Sequence, residues 1–70
     1  MDLKVFSERL KELRAEKGLS AKSLGKEAGL SDASIIDWEN AKRIPSAESI
    51  LKLAIYFKVS TDYFYGLSDH

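Results

Sequence analysis

Seventy residues with no cysteine and one histidine, at the final position, make one small domain at most. They exclude a disulfide framework, a thiolate metal site and a histidine-built metal cluster. Eleven Lys/Arg balance eleven Asp/Glu, so any charge-driven function rests on distribution, and that shifts only mildly, from seven cations against five anions over Met1–Gly29 to four against six over Leu30–His70.

No apolar run reaches transmembrane length, and the amphipathic start MDLKVFSERLKEL is neither a signal peptide nor an anchor. The expected location is the cytoplasm, with no membrane contact. The first helix begins at either Asp2 or Ser7. Phe6, Leu10 and Leu13 then recur at spacings of four and three, one face of a helix. Lys17 suits the last turn, Gly18 ends it, and Leu19 turns inward. Ser20 caps a second helix, whose Leu24 and Ala28 face the core. Gly25 inside so short a helix costs about 1 kcal/mol against alanine, which predicts a close approach by another helix, the third.

Gly29 offers a left-handed turn at low cost, Leu30 anchors it, and Ser31 caps a third helix over Asp32–Asn40. Ile35 and Trp38 face inward, while Asp32, Ala33, Ile36 and Asp37 lie outward or at the edge. Asn40 is expected to close this helix in a left-handed conformation. Residues 40–46 form a loop, in which Pro45 holds Ile44 extended. Ser46 caps a fourth helix over Ala47–Phe57. Its Ile50, Leu51, Leu53, Ala54, Ile55 and Phe57 cover more than one face, the pattern of a central helix contacted from two sides. Ser60 or Thr61 caps a last helix over Asp62–Tyr65, ended by Gly66. Tyr63, Phe64, Tyr65 and Leu67 must pack in part on the first and fourth helices, and any left outside would form a dimer patch. The result is an all-α, compact five-helix domain spanning residues 1–70.

The stretch from Ser20 to Glu39, SAKSLGKEAGLSDASIIDWE, organises the chain. Two short helices joined by a glycine-containing turn make a helix-turn-helix, here about residues 20–40. Such a unit presents its second helix to a DNA major groove.

The chain resembles the lambda-repressor-like, Cro/C1-type (xenobiotic-response-element) helix-turn-helix family. The matching residues are Phe6, Arg9-Leu10, Leu13-Arg14, Lys17-Gly18-Leu19-Ser20, Leu24, Gly29-Leu30-Ser31, Ile35 and Trp38-Glu39-Asn40. Pro45-Ser46, Leu53-Ala54, Val59-Ser60 and Tyr63-Phe64-Tyr65-Gly66 complete the set. The resemblance implies a five-helix fold and a dimer on a double-stranded operator, acting as a transcriptional regulator, with repression the expected outcome. It also implies a partly buried salt bridge between Arg14 and Glu39.

Carried over by position, the base contacts are Asp32, Ala33, Ser34, Ile36 and Asp37. The DNA-backbone contacts are Ala21, Lys22, Lys26, Asn40, Lys42 and Arg43. The sequence departs from the family pattern where Ala21 replaces a frequent glutamine and Ala41 a frequent glycine. Asp32 and Asp37 bring negative charge toward a polyanion, although a carboxylate can accept from cytosine N4. Ile36 and Ala33 suit a thymine methyl.

The same features support an alternative, a protein-interaction module of antirepressor or antitoxin type, with Ile36 and the third-helix surface meeting a protein partner. Catalysis is not expected, because no histidine or cysteine base lies inside the domain and so small a chain holds no deep pocket. No cofactor and no metal are expected.

Overall fold

In the computed structural model, which describes residues 1–70, the chain forms five α-helices. They are α1 (Leu3–Glu16), α2 (Ala21–Ala28), α3 (Asp32–Glu39), α4 (Ala47–Phe57) and α5 (Thr61–Tyr65). Each starts on a side-chain cap. Asp2 accepts from the Lys4 and Val5 N–H groups, which settles the start of α1 in favour of Asp2 over Ser7. Ser20, Ser31, Ser46 and Ser60 each accept from the N–H three residues on, satisfying a donor the helix itself leaves free.

The helices enclose one core of Phe6, Leu10, Leu24, Ile35, Trp38, Ile50, Leu53, Ala54, Phe57 and Phe64. Phe6 lies at its centre, with Trp38 and Phe64 edge-on at centroid distances of 6.1 and 5.6 Å. Aromatic pairs in this orientation add to what burial alone supplies. Buried Ser7 donates its hydroxyl toward the carbonyls of Leu3 and Trp38, tying α1 to the end of α3. Arg9 binds the Tyr63 and Ser68 carbonyls and stacks 4.3 Å over the Tyr63 ring, which fastens α5 and the residues after it to α1.

Three expectations need correction. Asn40 does not take the left-handed angle: its φ is −95°, and Ala41 adopts φ 56° instead. The α3 carbonyls dictate this. Lys42 N–H donates to the Asp37 carbonyl at 2.8 Å and Ala41 N–H to the Trp38 carbonyl at 3.1 Å, a Schellman closure whose reversal must fall one residue beyond the cap. The helix accordingly ends at Glu39, not Asn40.

The second correction concerns Gly25. Its close neighbours are the Leu30 carbonyl and the Asp32 N–H, so the turn and the first residue of α3 press on it, not the body of the third helix. The third concerns α4. It packs against α2 and α5, the two sides expected, but Leu51 and Ile55, one turn apart, are 51% and 68% exposed, so α4 keeps an uncovered apolar edge in the single chain. At the far end, α5 begins at Thr61 under the Ser60 cap. Phe64 is buried, whereas Leu67 stays outside.

Candidate nucleic-acid interface

The helix-turn-helix is held by backbone. Gly29 takes φ 74°, and Leu30 N–H returns to the Gly25 carbonyl at 2.8 Å. A Cβ at residue 25 would lie 2.5 Å from the Leu30 oxygen, so only glycine lets the turn fold back this tightly. Leu24 and Ile35, both fully buried, pin the two helices to the core from inside. Their outward residues are thereby fixed in direction.

Ala33 and Ile36 stand exposed on the outer side of α3, Ile36 at 48%. Asp32 is also exposed; its carboxylate accepts from the Ala33 N–H at 2.9 Å and puts negative charge in the first turn, where it suits the helix dipole. Ser34 and Asp37 are half-buried and share a partner. Arg43 donates from Nη1 to Ser34 Oγ at 2.9 Å and sets Nη2 3.3 Å from the Asp37 carboxylate. The loop after α3 thus folds its guanidinium back onto the helix. Asn40 and Lys42 are exposed on the same loop. On α2, Lys22 and Lys26 are exposed and Ala21 is half-buried at the first helical position.

Behind this face, Arg14 and Glu39 form a two-point ion pair. Arg14 Nε and Nη2 reach the two carboxylate oxygens at 2.7 and 2.9 Å, while Nη1 binds the Leu19 carbonyl at 2.7 Å. Glu39 keeps only 8% of its side chain exposed and Arg14 26%. The hydrogen bond to Glu39 raises the Arg14 pKa above its ordinary value, burial works against it, and the carboxylate charge adds to the rise. The pair locks α1 and the chain entering α2 to the last residue of α3, so it fixes the outer face from behind.

Two arrangements leave little trace in the sequence. The Arg43–Asp37–Ser34 contact carried one signal, the spacing of Ser34 and Asp37 by three on a helix with a cation soon after. The Arg9 clamp carried none beyond the residue itself, because its acceptors are backbone carbonyls far along the chain. No group of His, Cys, Asp or Glu is placed to hold a metal, and no helix is long and apolar enough to cross a membrane. The sole cavity is a shallow hollow between α2 and α4, lined by Glu27, Ala28, Lys52, Ile55 and Tyr56.

Comparison with known proteins agrees with this geometry. The chain is 36% identical to the restriction-modification controller protein C.AhdI from Aeromonas hydrophila, whose crystal structure superposes with a TM-score of 0.81 over 90% of this chain and 96% of that one. It is 32% identical over 61 residues to the HTH-type transcriptional regulator ImmR of Bacillus subtilis (strain 168), covering 87% of this chain. It is 33% identical over 57 residues to the HTH-type transcriptional activator BcrR of Enterococcus faecalis, covering 81% of this chain. The matches span only 48% and 28% of those two relatives' lengths. A helix-turn-helix family model matches residues 10–64, and with the five-helix fold this places the chain in the helix-turn-helix family, of the lambda-repressor-like Cro/C1 kind.

Proposed function

We propose that the chain is a sequence-specific double-stranded DNA-binding module of a transcriptional regulator, and that it works by occupying an operator as a dimer. The observation that carries the reading is the rigid outer face of α3. It is exposed at Ala33 and Ile36, and exposed cations lie on the preceding helix, at Lys22 and Lys26, and on the following loop, at Lys42. In this arrangement α3 enters the major groove, where Ala33 and Ile36 meet thymine methyls. Lys22, Lys26, Asn40, Lys42 and the free N–H groups around Ala21 take phosphates. Occupancy across a promoter represses; beside one, it can activate, as the name of one relative says of that protein. The setting is the cytoplasm.

Dimerisation supplies the second half-site. The uncovered α4 edge, Leu51 and Ile55, is the surface a second copy would bury, and a two-fold pair sets its recognition helices about 34 Å apart. A protein-interaction role is the second reading, and exposed Ile36 with zero net charge favours it.

Selection from a random duplex library, followed by binding of the winner against salt, tests the proposal. A palindromic winner preferred at least about a thousandfold over random DNA supports it. Lys42→Ala should then weaken every duplex alike and lower the salt slope by about one. No enrichment at low salt from folded protein would overturn it and leave the protein-partner reading. A protein that stays monomeric while binding a single half-site would overturn the dimer.

A further inference from the structure

The Arg43 cluster changes what the charged residues on α3 can do. A guanidinium carries five N–H donors in a planar fork. Here one is taken by Ser34 and another faces Asp37, so the remainder stay free. Asp37 in turn is not a free carboxylate. A cation 3.3 Å away occupies it, and Arg43 offsets its repulsion of phosphate. A flexible loop cation would be suited to a phosphate. A cation held by two side chains on the outer helix is suited to one base edge, since bidentate recognition needs a preset plane.

Resting on the DNA-binding reading above, we propose that Arg43 reads the O6/N7 edge of a guanine, and that Asp37 and Ser34 are the residues that position it. The contact between the loop and α3 is what carries this. Asp37 sits one turn beyond Ala33 and Ser34 is next to it, so a guanidinium fixed there lies on the Ala33 side of α3, with Ile36 across the exposed face. The half-site accordingly joins a guanine to neighbouring thymines. Asp37 makes no base contact of its own, and the apparent liability of a carboxylate on a recognition helix becomes part of an arginine mount.

The test is the same random-duplex selection on four proteins: wild type, Arg43→Ala, Asp37→Asn and the double variant. Wild type should enrich a site containing an invariant guanine. Arg43→Ala should lose the preference at that base pair alone, by about tenfold to a hundredfold. Asp37→Asn should weaken discrimination at the same base pair while raising affinity for all duplexes. In the double variant, discrimination should fall no further than in Arg43→Ala, because the two act as one unit. Unchanged thermal melting of each variant separates this from a loss of fold. An enriched wild-type site whose base preferences survive Arg43→Ala, with only a shallower salt slope, would overturn the proposal and make Arg43 a phosphate contact. A changed preference at a cytosine in Asp37→Asn alone would overturn it in favour of direct reading by Asp37. No enrichment by wild type would remove the DNA-binding reading itself, and this inference with it.

Discussion

Gly25→Ala is the sharpest single perturbation of the helix-turn-helix. The new methyl would sit 2.5 Å from the Leu30 oxygen, 3.2 Å from Asp32 N and 3.4 Å from the Leu30 carbonyl carbon. Ordinary contacts between such atoms lie near 3.5 Å, so the turn must retreat by about 1 Å. All three neighbours are backbone, and none can rotate away. Overpacking of this kind costs about 1–3 kcal/mol. The retreat also stretches the 2.8 Å bond from Leu30 N–H to the Gly25 carbonyl, worth about 1 kcal/mol. Alanine's better helix propensity returns about 1 kcal/mol. The net is a loss of about 2 kcal/mol. At a urea slope of about 1 kcal/mol per molar, the midpoint falls by about 2 M. The control is Gly18→Ala, where nothing lies within 4 Å and only the left-handed angle, φ 64°, is penalised. Its cost should be about 1 kcal/mol. Urea denaturation followed by circular dichroism reads both. A Gly25→Ala protein as stable as wild type would refute the steric argument and the turn geometry behind it.

Three further outcomes follow from the same structure. Glu39→Ala should destabilise by about 2–3 kcal/mol in chemical denaturation. This is below the cost of fully buried pairs, because Arg14 keeps some solvent and its bond to Leu19; a loss under about 0.5 kcal/mol would mean the pair is an ordinary surface contact. Ala41→Gly should raise the melting temperature by several degrees, since a left-handed alanine costs about 1–2 kcal/mol and glycine returns only part of that as chain entropy; no rise, or a fall, would contradict the angle assigned to Ala41. The Tyr56 hydroxyl donates to Glu27 at 2.7 Å, and that hydrogen bond, then burial, then the carboxylate charge, raises its pKa above 10.0. The folded state therefore gains from the neutral phenol below the unfolded pKa and loses that gain as pH rises through the folded one. Ultraviolet titration should show one tyrosine midpoint moving down in Glu27→Ala, and identical curves would remove the contact.

What could be read from the residues was mostly local. The caps Ser20, Ser31 and Ser46 and the breaks at Gly18, Gly29 and Gly66 declare themselves through side-chain acceptors and left-handed tolerance. Phe6, Leu10, Leu24, Ile35 and Trp38 followed from helical spacing. Ala41 could not be found this way, because alanine has no turn preference and Asn40 beside it does. The reversal was set by which carbonyls of α3 needed donors. The α4 edge misled because Leu51 and Ile55 read as core by composition, and only the positions of α2 and α5 leave them outside. The Arg14–Glu39 pair was visible through family resemblance, not spacing. The hold of Ser34 and Asp37 on Arg43 needs the loop path, which periodicity does not encode. The helix-turn-helix and the outward helix it presents were therefore legible, while the way the charges on that helix are arranged was not.

In the proposed complex, the outer face of α3 and the loop after it meet DNA. A two-dimensional amide NMR titration with the selected duplex would map that contact residue by residue. Large shifts are expected at Ala33, Ile36, Lys42, Arg43 and Lys22, with α5 and the Arg9 clamp unmoved. Shifts concentrated on α4 and α5 with α3 silent would contradict it.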